Sequence, residues 1–325
     1  MAVATPGRCG LYETTRDLVA AERALGIDAR IVDPKPHPTL HPGKEDRGVP
    51  LAPMSWAVEA DLIVSHSGHD GTPVSLTDQP IVIVAHGRPV STFIGEREGG
   101  AAAYTYHAQR SRQDRYKACI TLWPEYRPYF ESLWGGKPVH VVPPTVDLDY
   151  WRPGDSDYDF AKKGGTFDVV MTDPWSRRDV SPLPTIHAFD LFRRDEPGAR
   201  LHIFAHDGNA KGLAGIRAML GESLGLVQGW AADLRRVYRA ADMLITPHRI
   251  YTRAIREAMA CGVTVTSGMH APAEDLERFA NAIAGRMKRR PAWNREQAED
   301  RFDPEAAGLA MGEIIQTYAR VKVVA

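Results

Sequence analysis

Cysteine is scarce: Cys9, Cys119 and Cys261 are odd in number and far apart, and none stands in CxxC or Cys/His spacing. That excludes a disulfide framework and gives no zinc site, so the simplest setting is a reducing cytoplasm. Long hydrophobic runs are missing too, since no window approaches the roughly 18 apolar residues of a membrane span. The opening MAVATPGRCG lacks a basic flank followed by an apolar stretch, so no secretory signal is expected. A soluble protein without a transmembrane segment follows as the expectation, with peripheral membrane contact left open. Net charge is nearly absent, at −1, which removes a global electrostatic case for nucleic acid or an anionic membrane and leaves only local patches. Nor is there an internal repeat of solenoid kind.

What is present fits a packed α/β protein. Apolar residues make up 43% and charged residues 25% of the 325 positions, ordinary values for a globular chain. The length exceeds the roughly 250–300 residues at which one core stops growing, so two domains are expected. Short apolar runs alternate with helix-like segments throughout, the pattern of βα units and parallel sheets. In the first half the runs are AVAT (2–5), DARIVD (28–33), DLIVSH (61–66), PIVIVAHG (80–87), ACITL (118–122) and VHVVPP (139–144), with helices near 12–25 and 124–134. In the second they are FDVVMT (167–172), RLHIFA (200–205), LGLVQG (224–229), DMLITP (242–247) and VTVTSG (263–268), with helices near 182–195, 210–221, 231–240 and 252–261. The Pro-, Asp- and Gly-rich stretch 143–165 between them reads as a linker. The expected division is an N-terminal domain over 1–145, a linker over 146–165 and a C-terminal domain over 166–303. A last helix over 304–325, capped by Asp303 with Pro304 in its first turn, is free to pack back on the N-terminal domain. Two doubly wound domains meeting at a cleft would place a ligand where phosphates reach helix N-termini.

Four segments in order carry a resemblance. They are VHVVPPTVDLDYWRPGD (139–155), PLPTIHAFDLFRRDEPGARLHIF (182–204), LVQGWAADLRRVYRAADMLITPH (226–248) and REAMACGVTV (256–265). Together they resemble the retaining GT-B glycosyltransferases of family 4, also called glycosyl transferases group 1. The N-terminal half matches only loosely, through PGRCGLYETTRDLVAAERALG (6–26) and IVIVAHGRP (81–89). The resemblance implies a GT-B fold of two Rossmann-like domains and transfer from a nucleoside-diphosphate sugar with retention. No metal or separate cofactor would be required. A departing diphosphate develops negative charge, so its site needs fixed cations or helix-end amides.

Carried over residue by residue, the resemblance makes Glu257 the second acid of the family's E-x7-E motif, a clamp on the donor ribose. A carboxylate can accept two hydrogen bonds from a vicinal diol; the plain alternative is an acid favourable to the start of a helix. Eight residues earlier, where the first acid belongs, stands Arg249, which can instead meet a sugar carboxylate or a diphosphate. Arg177 and Arg178 stand near the family's diphosphate-binding Arg and Lys, though its Lys-Gly pair is missing, and a solvated loop pair is the alternative. His248 beside Arg249 and Gly10 in the loop after the first strand complete the donor-side set. Gly7 and Gly10 also fit an ordinary βα turn. His86 matches a His-Gly of the family beside the donor sugar and is the catalytic candidate; a strand-end histidine satisfied by backbone is the alternative. His66 and His69 are weaker candidates, and their spacing alone is poor evidence for a metal.

On the acceptor side stand Arg88 and, within HAQRSRQDRYKAC (107–119), Arg110 and Arg112. A basic helix there would suit anionic lipid headgroups, a phosphorylated acceptor or a nucleic-acid backbone, or be a solvated face. MKRRPAWNR (287–295) allows the same readings. The acceptor class, whether glycan, lipid-linked molecule or nucleic acid, stays open. Two other functions share this architecture: a non-hydrolysing sugar-nucleotide epimerase and a non-catalytic nucleotide-sugar-binding protein.

Overall fold

The computed structural model describes residues 2–4, 10–32, 45–53, 55–66, 77–86, 103–156, 158–160, 167–173, 180–204, 210–229, 231, 233–287 and 291–319. The chain divides into two compact units, Met1–Thr145 with Arg301–Ala325, and Val146–Asp300.

The first unit holds β1 (Ala2–Ala4), β2 (Arg30–Val32), β3 (Glu45–Asp46), β4 (Val49–Ala52), β5 (Ile63–His66), β6 (Ile81–Ala85), β7 (Tyr116–Thr121) and β8 (Val139–Val141). They form one sheet in the order β3-β4-β2-β1-β5-β6-β7-β8. Every pairing is parallel except β3 with β4. The apolar runs IVSH and IVIVA are buried throughout, as strands covered on both faces must be. Around the sheet lie α1 (Gly10–Ala24), α2 (Trp56–Glu59), α3 (Ala103–Ser111), α4 (Arg127–Trp134) and the far C-terminal α11 (Pro304–Tyr318).

Sequence reading misses the β3–β4 hairpin, because strands of two and four residues show no periodicity. Its turn is still written in the chain. Arg47 and Gly48 both have positive φ, 50° and 74°, which suits the two-residue turn that follows strand twist. Tyr12 and Arg16 of α1 donate to Asp46 Oδ2 at 3.0 and 3.3 Å, tying the hairpin to the helix.

Asp303 caps α11, accepting from the backbone of Glu305 and Ala306, with Pro304 in the first turn. The helix packs on α1 so closely that a Cβ on Gly308 would lie 2.9 Å from the Ala21 carbonyl oxygen. Gly308→Ala is therefore expected to cost about 1–3 kcal/mol of stability, as overpacking against rigid backbone does. Denaturant titration checks this, and an unchanged midpoint would contradict the close approach.

The second unit holds β9 (Phe167–Met171), β10 (Ala199–Ile203), β11 (Leu224–Val227), β12 (Met243–Thr246) and β13 (Thr264–Ser267) in an all-parallel sheet ordered β11-β10-β9-β12-β13. Its helices are α5 (Leu183–Asp195), α6 (Ala210–Leu220), α7 (Leu234–Ala240), α8 (Arg253–Ala260), α9 (Leu276–Met287) and α10 (Pro291–Arg301). Val169, Met171, Ile203 and Ile245 of the strands pack with Phe189 of α5 and Phe279 of α9. Residues from 146 onward lie on this unit: Trp151 is buried, Ser156 donates to the Arg236 carbonyl, and Phe160 stacks 4.2 Å from His202. His202 is a structural histidine. Its Nδ1 accepts from the Leu226 amide while Nε2 faces Asp168 Oδ1 at 3.1 Å.

Candidate functional site

In open parallel sheets ligands bind outside the carboxyl ends of the strands, where the strand order reverses direction. In the first unit the chain leaves β1 toward β2 and β4, then returns to the other side of β1 with β5. Gly10 opens α1 after β1, and His66 ends β5. His86 follows the last residue of β6, and because β5 and β6 pair in parallel the two imidazoles meet, with His66 Nδ1 2.9 Å from His86 Nε2. Burial, with His86 adding to it, holds His66 well below the ordinary imidazole value, so it is neutral near pH 7. Which ring donates along that contact depends on the tautomer. His66 belongs to the pair because of strand register, a signal that its place in SHSGHD does not show.

Arg88, Arg177 and Arg178 lie outside the described residues, as do Gly7 and His69. Arg110 and Arg112 do not share a continuous basic helix with Arg115 and Lys117, because α3 stops at Ser111 and β7 starts at Tyr116. The Arg110 guanidinium lies over the Tyr106 and Tyr116 rings at 5.2 and 5.3 Å. Arg115 donates to the Gln79 carbonyl and the Thr77 hydroxyl. Arg295, in the second basic stretch, spends its guanidinium on the carbonyls of Leu148, Trp151 and Ala260, so that arginine is a staple and not part of a basic face.

In the second unit the order reverses between β9 and β12: the chain runs from β9 out to β10 and β11, then crosses to β12 and β13. Asp173 follows β9, and Thr246, His248 and Arg249 stand at or just beyond the end of β12. Asp173 Oδ1 accepts from the Thr246 hydroxyl at 3.1 Å and lies 3.1 Å from His248 Nε2. Asp173 is 5% exposed and His248 4%. The Thr246 hydroxyl accepts in turn from the His248 amide, which fixes the loop against the strand. No partner meets the buried Asp173 Oδ2. Nothing in TDPWSRRDV marks Asp173 on its own; the signal is its place directly beyond an apolar strand.

Glu257 lies in α8, 4% exposed, and accepts from Arg253 Nε at 2.5 Å one turn earlier. The guanidinium of Arg253 offsets part of the cost of burying an acid there. Tyr238 of α7 lies close to both acids: burial pushes its hydroxyl well above the ordinary value, and Glu257 and Asp173 push it in the same direction. Arg249 does not join them. It is half exposed and pairs with Glu274 at 2.9 Å. Behind it, Gly268 approaches the β12 loop so closely that a Cβ would sit 2.3 Å from the Pro247 carbonyl oxygen.

Among the described residues no helix is long and apolar enough to cross a membrane. No protein-family model matches the chain, and neither does any curated protein. Solved structures do match. WaaG, a glycosyltransferase involved in lipopolysaccharide biosynthesis, is 14% identical with a TM-score of 0.66, over 97% of this chain and 99% of its own. A variant of S. aureus TarM, seen with fondaparinux, alpha-GlcNAc-glycerol and UDP, is 11% identical with a TM-score of 0.58. That match covers 80% of this chain, which spans 58% of TarM. A putative UDP-N-acetylglucosamine 2-epimerase from Listeria monocytogenes is 14% identical with a TM-score of 0.63, over 98% of this chain and 96% of its own. Such likeness establishes architecture and not chemistry. The chain has the GT-B fold, with two Rossmann-like parallel-sheet domains.

Proposed function

We propose that the chain is a glycosyltransferase that moves a sugar from a nucleoside-diphosphate sugar to an acceptor hydroxyl, with retention of anomeric configuration and without a metal. The observation that carries this reading is Glu257, a buried carboxylate held by Arg253 in α8, the helix that follows β12. There it accepts the two ribose hydroxyls of the donor. Arg177 and Arg178 meet the diphosphate in this reading. Arg249 exchanges Glu274 for an anionic group of the donor, since its ion pair is exposed and weakly held. Likeness to WaaG and to TarM, the latter seen with UDP, supports a uridine nucleotide as donor and a glycan or lipid-linked acceptor over a nucleic acid.

In the transfer, the acceptor oxygen bonds to the anomeric carbon on the face from which the diphosphate departs. The carbon–oxygen bond to the diphosphate breaks, and the acceptor proton passes to the departing phosphate. His86, paired with His66, donates to a sugar hydroxyl or polarises the acceptor. A second reading, a sugar-nucleotide epimerase, is favoured by the full-length likeness to the Listeria protein.

Incubation with a panel of nucleotide sugars, followed by NMR, separates these functions. Release of the nucleoside diphosphate with a product of unchanged anomeric configuration supports the transferase, an isomerised donor the epimerase, and binding without turnover a non-catalytic binder. Glu257→Gln is expected to weaken nucleoside-diphosphate binding roughly 10- to 100-fold, the scale of losing hydrogen bonds to a charged acceptor. Calorimetric titration reads this directly, and an unchanged affinity removes Glu257 from the site.

A further inference from the structure

The carboxylate of Asp173 is unevenly satisfied. Oδ1 takes both the Thr246 hydroxyl and the approach of His248 Nε2, whereas Oδ2 is buried without a partner. A buried carboxylate oxygen left unpaired is costly, and such orphans need an explanation outside the fold itself. This one stands where the strand order reverses, between β9 and β12, the place where a doubly wound sheet takes its ligand. It also shares the surroundings of Tyr238 with Glu257, so the two acids belong to one neighbourhood.

We propose that Asp173 is a donor-specificity residue whose Oδ2 accepts a hydrogen bond from a hydroxyl of the transferred sugar, while Thr246 and His248 hold Oδ1. The inference rests on the nucleotide-sugar reading and adds to it a residue outside the E-x7-E motif. A neutral hydroxyl suits the position because a donor is what Oδ2 lacks, and His248 already stands beside the carboxylate. Asp173 supplies an acidic acceptor beyond β9, across the reversal point from the β12 loop that carries Arg249. An acceptor site of this kind discriminates strongly against a sugar lacking the matching hydroxyl, since the buried oxygen is then unpaired again.

The test measures binding of UDP, GDP and ADP, of their glucose and N-acetylglucosamine conjugates, and of single-deoxy analogues of whichever conjugate binds. Wild type is expected to bind one conjugate at least ten-fold more tightly than the bare diphosphate, and to lose about that factor for one deoxy analogue. Asp173→Asn should bind the diphosphate within two-fold of wild type and no longer distinguish conjugate, deoxy analogue and diphosphate. Thr246→Val, which leaves Oδ1 held by His248 alone, should fall between. The inference is overturned if Asp173→Asn keeps its preference for the sugar, if it loses diphosphate and conjugate equally, or if every deoxy analogue binds wild type as well as the parent. A wild-type protein that binds no nucleoside diphosphate overturns the donor reading itself, so the two failures are distinct.

Discussion

Gly268→Ala is expected to lower stability by about 3 kcal/mol or more and to weaken nucleotide binding besides. A methyl at this position would meet three atoms of one loop: the Pro247 carbonyl oxygen at 2.3 Å, Arg249 Cγ at 2.9 Å and the His248 carbonyl oxygen at 3.1 Å. Two of these are backbone, and the Gly268 amide donates to the Thr246 carbonyl at 3.2 Å, so neither side can yield without opening the ends of β12 and β13. Overpacking of a rigid site costs about 1–3 kcal/mol, and the loss of that bond adds to it. The displaced loop carries His248 and Arg249, and through Thr246 it positions Asp173. Denaturant titration and calorimetry on the same variant read both effects. Wild-type values in both would show that the two strand ends are not held together.

Glu22→Gln should act the other way and stabilise the protein near neutral pH. Glu22 is fully buried in α1, and neither carboxyl oxygen has a partner. Burial pushes it from an ordinary 4.5 up to about 8. For an acid raised in the folded state, stability is full below about 4.5, where folded and unfolded chains are both protonated. It falls as pH rises toward about 8, because only the folded chain still binds the proton. At roughly 1.4 kcal/mol per pH unit, the loss by pH 7 is on the order of 3 kcal/mol. Glutamine has no proton to lose. Melting profiles from pH 4.5 to 8.5 should converge at the acid end, with the variant melting several degrees higher at pH 7. A lower midpoint for the variant at pH 7 would sink the prediction.

Apart from β3 and β4, the strands of both sheets were legible because each is an apolar run between turn residues, and IVIVA or MLIT suits little else. The stop of the helix that carries Glu257 was legible through AMACG: α8 ends at Ala260 with Cys261 as its cap. Helix α9 was missed although Phe279, Ala280 and Ile283 give it an apolar face; α10, PAWNREQAEDR, has almost none to show. In the basic stretches, like charges in a row say nothing of direction. Folding sends Arg110 over aromatic rings, Arg115 to backbone and Arg295 to three carbonyls. Asp173 was beyond reach, and His66 stood only as a weaker candidate, for a different cause: what marks them is a partner, or the lack of one, brought by strand pairing across about 20 to 70 residues.

The C-terminal helix α11 has a consequence for the order of synthesis. The second unit has its last strand by Ser267 and its last helix by Arg301, whereas the first unit begins the chain and is completed only by Pro304–Tyr318 packing on α1. Thr145 donates to the Phe302 carbonyl, joining the point where the chain leaves the first unit to the point where it returns. During translation, then, the domain made first is the one finished last. Its α1 face lacks its covering helix until the strands of an entire second sheet have been made.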